Sequence, residues 1–105
     1  MLALWQAEWC PYSSRVRQVL TELGIDFVAR QVAADREDRH EMRAETGGKD
    51  SIPLLVLEDG TQLGDTREIV AHLRETYEAR PDARAHRAKW REEAEERERQ
   101  HADGG

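Results

Sequence analysis

The sequence predicts one small α/β domain in the order β-α-β-α-β-β-α, built on a four-stranded sheet that mixes parallel and antiparallel pairs. Three observations predict it. A short apolar run at residues 1–6 is followed by an amphipathic helix pattern and a second strand-like run, which reads as a parallel crossover. Leu54-Leu55-Val56-Leu57 is too continuously apolar to be exposed on both faces, and Glu58-Asp59-Gly60-Thr61 behind it is a hairpin signal. A last helix pattern at residues 66–77 closes the unit, and beyond it the composition changes.

Each element follows from its own pattern. Residues 13–23 place Val16, Val19, Leu20 and Leu23 at i, i+3, i+4 and i+7, one face of a helix. Gly24 follows as a left-handed cap would. The second strand runs over residues 27–32. Residues 35–46 read as a polar helix with few core positions (Met42, Ala33 and Ala44), closed by Gly47-Gly48. After the hairpin comes a short antiparallel strand, Gln62-Leu63. The last helix carries Ile69, Val70, Leu73 and Tyr77 on one side.

Residues 82–105 hold seven acids and six bases, with Trp90 the one large apolar side chain. Glu93/Arg97 and Glu95/Arg99 stand at i,i+4 with the acid first, the better orientation for an ion pair. The chain is thus expected to divide into a folded unit at 1–80 and, at 81–105, a charged C-terminal helix with a disordered tail. That helix reads as solvated and pinned by Trp90, fraying at Asp103-Gly104-Gly105; a partner-binding or dimerising helix is the alternative.

Composition narrows the class. A chain of 105 residues has room for one core. A lone cysteine argues against a secreted disulfide scaffold, and the N-terminal apolar run is too short, and lacks the basic flank, for a signal peptide. No apolar stretch approaches a membrane span. The expectation is a cytoplasmic protein. Its net charge of −6 disfavours nucleic acid and anionic membranes as partners. His40, His72, His86 and His101 are scattered and none pairs with Cys10 at a metal-ligand spacing, so no zinc site is expected.

Cys10 stands where the first strand hands over to the first helix, in Trp9-Cys10-Pro11-Tyr12-Ser13. A thiol at a helix N-terminus faces orphan backbone N–H groups and the positive end of the helix dipole, and both favour the nucleophilic thiolate. Pro11 presets φ without losing a needed hydrogen bond, which leaves the N–H groups of Tyr12, Ser13 and Ser14 to face the sulfur. With no second cysteine, redox chemistry must borrow its other sulfur from a small thiol or a partner. The plain alternative is a small buried hydrophobe. Glu8 nearby would raise the thiol pKa, and Arg15 and Arg17 on the helix are set against it.

These residues resemble a known family. Cys10-Pro11-Tyr12-Ser13 resembles the active-site motif of glutaredoxins, in the monothiol form where serine replaces the second cysteine. Ile52-Pro53 resembles the hydrophobic-plus-cis-proline step of the thioredoxin fold. Gly64-Asp65-Thr66 resembles the acidic-plus-hydroxyl pair that holds the γ-glutamyl end of glutathione. Residues 13–27 and Asp65-Thr66-Arg67-Glu68-Ile69 are closer still to the N-terminal domain of glutathione S-transferases. The resemblance covers roughly residues 1–78, within the usual tolerance on boundaries.

It implies a thioredoxin-like fold and a glutathione-dependent thiol–disulfide oxidoreductase that reduces protein–glutathione mixed disulfides. Cys10 would be the catalytic thiol, with Pro11, Tyr12 and Ser13 completing the active-site motif. Tyr12, Ile52, Pro53, Asp65 and Thr66 would bind glutathione, the co-substrate. Glutathionylated proteins would be the partners of a monomer. Lys49 or Arg43 could pair with the ligand's glycine carboxylate, or remain solvated surface charges. Pro53 read plainly is a trans residue opening an edge strand, and Asp65 or Thr66 read plainly is an N-cap. The all-helical C-terminal domain of the transferases is not represented, so their second-substrate pocket is not expected. Two alternatives remain. One is a [2Fe–2S] carrier in which a cluster bridges two protomers through two cysteines and two glutathiones; Pro11, standing where dedicated carriers have glycine, counts against it. The other is a redox-silent glutathione- or peptide-binding module, with a Cys10 pKa near the free value of ~8.5.

Overall fold

The computed structural model describes residues 1–103, with side chains through residue 99, so the expected fraying at Gly104 and Gly105 lies outside the described residues. The elements are β1 (Leu2–Gln6), α1 (Pro11–Leu23), β2 (Phe27–Gln31), α2 (His40–Thr46), β3 (Leu54–Val56), β4 (Gln62–Leu63), α3 (Thr66–Thr76) and α4 (Ala83–Asp103). The four strands form one sheet in the order β2-β1-β3-β4. β1 pairs with β2 in parallel, while β1–β3 and β3–β4 are antiparallel. This is the mixed, thioredoxin-like α/β sheet that the sequence predicts.

Strand alternation buries both faces of that sheet. On one side Leu4 and Leu55 pack with Val16 and Leu20 of α1 and Ile69 and Leu73 of α3, all fully buried. On the other side Trp5 and Leu54 pack with Met42 of α2, and the Arg30 guanidinium lies over the Trp5 ring at 4.3 Å. Gly24 ends α1 at φ 68°, its N–H reaching the carbonyls of Leu20 and Thr21. The hairpin closes as expected, with Gly60 at φ 90° and its N–H on the Leu57 carbonyl at 2.9 Å.

Three expectations are corrected. The helix read over residues 35–46 is a 3-10 turn at Arg36–Asp38 followed by α2, because Arg39 leaves the helical region (φ −83°, ψ 51°) to send its guanidinium inward. Of its expected core positions Met42 is buried, Ala33 is half-buried and Ala44 is exposed. Tyr77 lies past α3 as an extended C-cap residue, and its side chain is exposed.

The C-terminal helix does not float free. Arg87 donates Nε to Glu22 Oε1 at 2.7 Å, and its Nη2 lies 2.5 Å from the same oxygen. The Arg80 N–H also reaches the Glu22 carbonyl, at 3.1 Å. Trp90 is 37% exposed, so the contact of Arg87 with the buried Glu22 joins α4 to α1 beside a half-open indole. Glu93/Arg97 and Glu95/Arg99 form no ion pairs among the described residues, although their spacing permits them. Among the described residues no helix is long and apolar enough to cross a membrane.

The burial order makes a direct prediction. Leu20→Ala, at a position with 0% exposure, should destabilise the fold by about 2–5 kcal/mol in urea unfolding. Val28→Ala on the edge strand, 46% exposed, should change it by less than about 0.5 kcal/mol. Equal losses at the two positions would contradict the packing described.

Candidate active site

Strand register decides which loops meet. β3 begins with Leu54 opposite Trp5, near the end of β1, and β4 ends with Leu63 opposite Leu55. The turn leaving β1, the turn entering β3 and the turn leaving β4 therefore lie at the same end of the sheet. They carry Cys10, Ile52-Pro53 and Gly64-Asp65-Thr66 respectively. The approach is close: a Cβ on Gly64 would meet Leu54 Cδ1 at 3.5 Å. Residues some fifty positions apart in sequence are gathered by the ladder alone.

Cys10 is the N-cap residue of α1, in extended conformation (φ −77°, ψ 118°), and Pro11 opens the helix. Its sulfur accepts the Ser13 N–H at 3.5 Å. The residue is only 6% exposed, whereas its neighbours Trp9 and Tyr12 are 65% and 64% exposed. The thiol is thus buried between two exposed aromatic residues close in sequence. Burial is the strongest single influence on the thiol and pushes its pKa up. The Ser13 hydroxyl, the N–H groups of Ser13 and Tyr12, and the Arg17 charge together outweigh it, so the net shift is downward. The Ser13 hydroxyl is buried and has no hydrogen-bond partner among the described residues, which leaves it available to the sulfur.

Glu8 does not oppose this as the sequence suggests it would. Its carboxylate points into solvent, 86% exposed, and pairs with Arg17 at 3.3 Å. Arg17 also donates to Gln6 Oε1 and, at 3.4 Å, to the Ala7 carbonyl, which fixes the guanidinium beneath the Cys10 turn. Arg15, the other candidate, faces a different region, lining a cavity with Glu22 and Arg87.

The Ile52–Pro53 peptide is cis, which removes the reading of Pro53 as a trans edge-strand residue. Pro53 is buried and Ile52 half-buried. Asp65 is the N-cap of α3, its Oδ1 accepting the Glu68 N–H at 3.0 Å, and Thr66 is the first helical residue.

One residue that sequence reasoning passed over organises the loop before Pro53. Arg39 is 7% exposed and donates to the carbonyls of Ala33 (2.9 Å), Asp50 (2.8 Å) and Ala34 (3.3 Å). A buried guanidinium needs such acceptors, and these three tie the segment after β2 to the segment before β3. Asp50 is further held by Arg36 at 2.8 Å and Arg43 at 3.2 Å, and these cations pull its carboxyl below the usual range. Arg43 also donates to the carbonyls of Arg36 and Glu37, so it is committed to the loop and not free for a ligand carboxylate. Lys49 is exposed. No pattern marks Arg39 apart from Arg36 or Arg43 in the sequence; its role follows from a break in the helix. Among the described residues no group of three or more His, Cys, Asp or Glu is placed to hold a metal ion.

The family profile described as the glutathione S-transferase N-terminal domain matches residues 4–81. The chain belongs to that family. Solved structures agree in fold. A glutathione S-transferase from Methylobacillus flagellatus KT with glutathione bound is 35% identical, with a TM-score of 0.55 over 70% of this chain and 35% of its own. A glutathione transferase homologue from Sulfitobacter with bound glutathione has a TM-score of 0.63 at 22% identity, over 79% of this chain and 38% of its own. Glutaredoxin 2 from Salmonella typhimurium in complex with glutathione has a TM-score of 0.58 at 19% identity, over 70% of this chain and 32% of its own. The two at lower identity bear on the fold alone. The chain spans little more than a third of the length of these proteins. No curated protein matches it.

Two measurements test the site. Ser13→Ala removes a hydroxyl that lowers the thiol pKa, so the midpoint of Cys10 alkylation by iodoacetamide should move to higher pH. An unmoved midpoint would show that backbone donors alone set it. The sign for stability follows: a depressed folded pKa contributes stability above the unfolded value of ~8.5, lost as pH falls through the folded one. Arg39→Ala should cost about 1–3 kcal/mol and speed amide exchange over residues 47–53, with only partial rescue by Arg39→Lys. Exchange unchanged in Arg39→Ala would remove the clamp described above.

Proposed function

We propose that this domain is a glutathione-dependent thiol–disulfide oxidoreductase working through Cys10 alone. The observation that carries the reading is the buried Cys10 sulfur at the α1 N-terminus, its pKa lowered by Ser13, Tyr12 and Arg17. Solved neighbours hold glutathione, which supports the choice of thiol. The lowered pKa runs against a redox-silent module.

In the proposed reaction the Cys10 thiolate attacks the glutathionyl sulfur of a protein–glutathione mixed disulfide. A Cys10–glutathione disulfide forms and the protein leaves as its thiolate, which takes a proton from solvent. A second glutathione, as thiolate, attacks the glutathionyl sulfur of that adduct, releasing oxidised glutathione and regenerating the Cys10 thiolate. One protein sulfur suffices. Ser13 steadies the charge on Cys10 in the reduced state but cannot resolve the adduct.

The binding roles divide along the shared end of the sheet. The backbone of Ile52, beside the cis Pro53, would pair with glutathione's central cysteine as an added strand does. The γ-glutamyl carboxylate would meet the N–H groups opening α3 at Thr66, and the Asp65 oxygen not engaged by Glu68 would take the α-amino group. Tyr12, exposed beside the sulfur, would close over the ligand. Residues 1–80 would be the catalytic unit, acting as a monomer on glutathionylated proteins in the cytoplasm, where thiols stay reduced. A [2Fe–2S] cluster bridged by two cysteines and two glutathiones fits less well, because Pro11 follows Cys10 where dedicated carriers have glycine.

The test is turnover of a glutathionylated peptide with glutathione as reductant, with mass spectrometry for the Cys10–glutathione adduct. Wild type should form the adduct and turn over, and Cys10→Ser should do neither. Turnover persisting in Cys10→Ser, or a wild type that forms no adduct, would sink the proposal.

A further inference from the structure

Two adjoining cavities of about 210 and 290 Å³, neither lined by Cys10, run along the seam between α1, α3 and α4, sharing Glu22, Arg74 and Arg87 in their walls. The first is lined by Arg15, Arg74, Arg87 and Arg91 together with Gln18, Glu22 and Trp90. Among the described residues only Arg87 of the four is ion-paired, to Glu22. Three arginines without an ion pair among the described residues thus line one cavity, in a chain whose net charge is −6.

Two buried polar atoms in the same wall point to what would neutralise them. Gln18 Nε2, on a residue 7% exposed, and Glu22 Oε2, on a residue 4% exposed, have no hydrogen-bond partner among the described residues. Buried polar groups are rarely left so, since each unpaired one forfeits its hydration without return. The amide N–H and the guanidiniums call for an anionic oxygen. Glu22 Oε2, a carboxylate oxygen, calls for the opposite, a proton donor. An oxyanion that keeps an O–H of its own satisfies both and pairs with the arginines as well. Carboxylates and sulfate carry none at neutral pH. A phosphate monoester, with its second pKa near about 6, can bind in the form that does.

We infer that this seam is a binding site for a small phosphate-class oxyanion, either inorganic phosphate or the head of a phosphomonoester. Arginine forks suit its oxygens in bidentate geometry. Glu22 accepts its proton and so sets its selectivity. Val19, Leu23, Tyr77 and Ala83 in the neighbouring cavity give the organic part of an ester an apolar wall.

Calorimetric titration of the full chain with inorganic phosphate, phenyl phosphate and sulfate, at matched ionic strength and neutral pH, tests this. Both phosphates should saturate at one site, with sulfate at least about tenfold weaker because it offers Glu22 no proton. Tighter binding of phenyl phosphate would assign the site to esters, and equal affinity to the free ion. Arg15→Ala and Gln18→Leu should each weaken phosphate several-fold while leaving Cys10 alkylation unchanged. Glu22→Gln should narrow the phosphate–sulfate gap, and these two other variants keep the test valid if it also frees α4. Absence of saturable phosphate binding, sulfate bound as well as phosphate, or indifference to both Arg15→Ala and Gln18→Leu would overturn the inference.

Discussion

β1 is hydrogen-bonded along both edges, to β2 in parallel and to β3 in antiparallel register, and this double pairing dictates where the chain turns emerge. Because β3 runs against β1, the residues entering β3 arrive where β1 leaves off. Because β4 runs against β3, its exit returns to the same place. Cys10, the cis Pro53 and Asp65 are thus neighbours of one sheet end without any of them bonding directly to another. The core secures that arrangement from both sides, with α1 and α3 beneath one face and α2 under the other.

At the sulfur itself, effects of opposite sign compete. Burial alone would keep Cys10 protonated and inert. Helix-opening donors and the Arg17 charge tip the balance the other way. Cysteine is a poor N-cap by local preference, where serine, threonine, aspartate or asparagine would hold the helix better. Asp65 shows the ordinary solution at the start of α3. The exception at Cys10 is the kind of local rule-breaking expected where chemistry, not stability, chose the residue.

What could be read in advance depended on how local the signal was. Val16, Val19 and Leu20 are apolar, periodic and all buried, so α1 was plain from its pattern. Cys10-Pro11, Ile52-Pro53 and Asp65-Thr66 were each visible as short motifs. The segment before α2 was not, because its buried residues are Arg39 and Thr46, polar side chains satisfied by carbonyls rather than by apolar neighbours. Glu22 was equally opaque. In a helix pattern it reads as a surface acid, yet it is buried by an arginine 65 positions away. Ion pairs of that range leave no periodicity. The same holds for Arg17 and Arg15, which look alike in sequence and serve opposite faces of α1.

The solitary cysteine has a thermodynamic consequence of its own. With Ser13 one turn along the helix and no second cysteine in the sequence, any disulfide that Cys10 forms is an adduct with another molecule. Forming it from a small disulfide RSSR consumes one disulfide and liberates one thiol RSH. The ratio of adduct to free protein then follows [RSSR]/[RSH], in which total concentration cancels. An internal disulfide would liberate two thiols and follow [RSSR]/[RSH]², so it would shift whenever the thiol pool was diluted or expanded. A protein with one thiol would therefore report the balance of a redox buffer and be blind to the buffer's size.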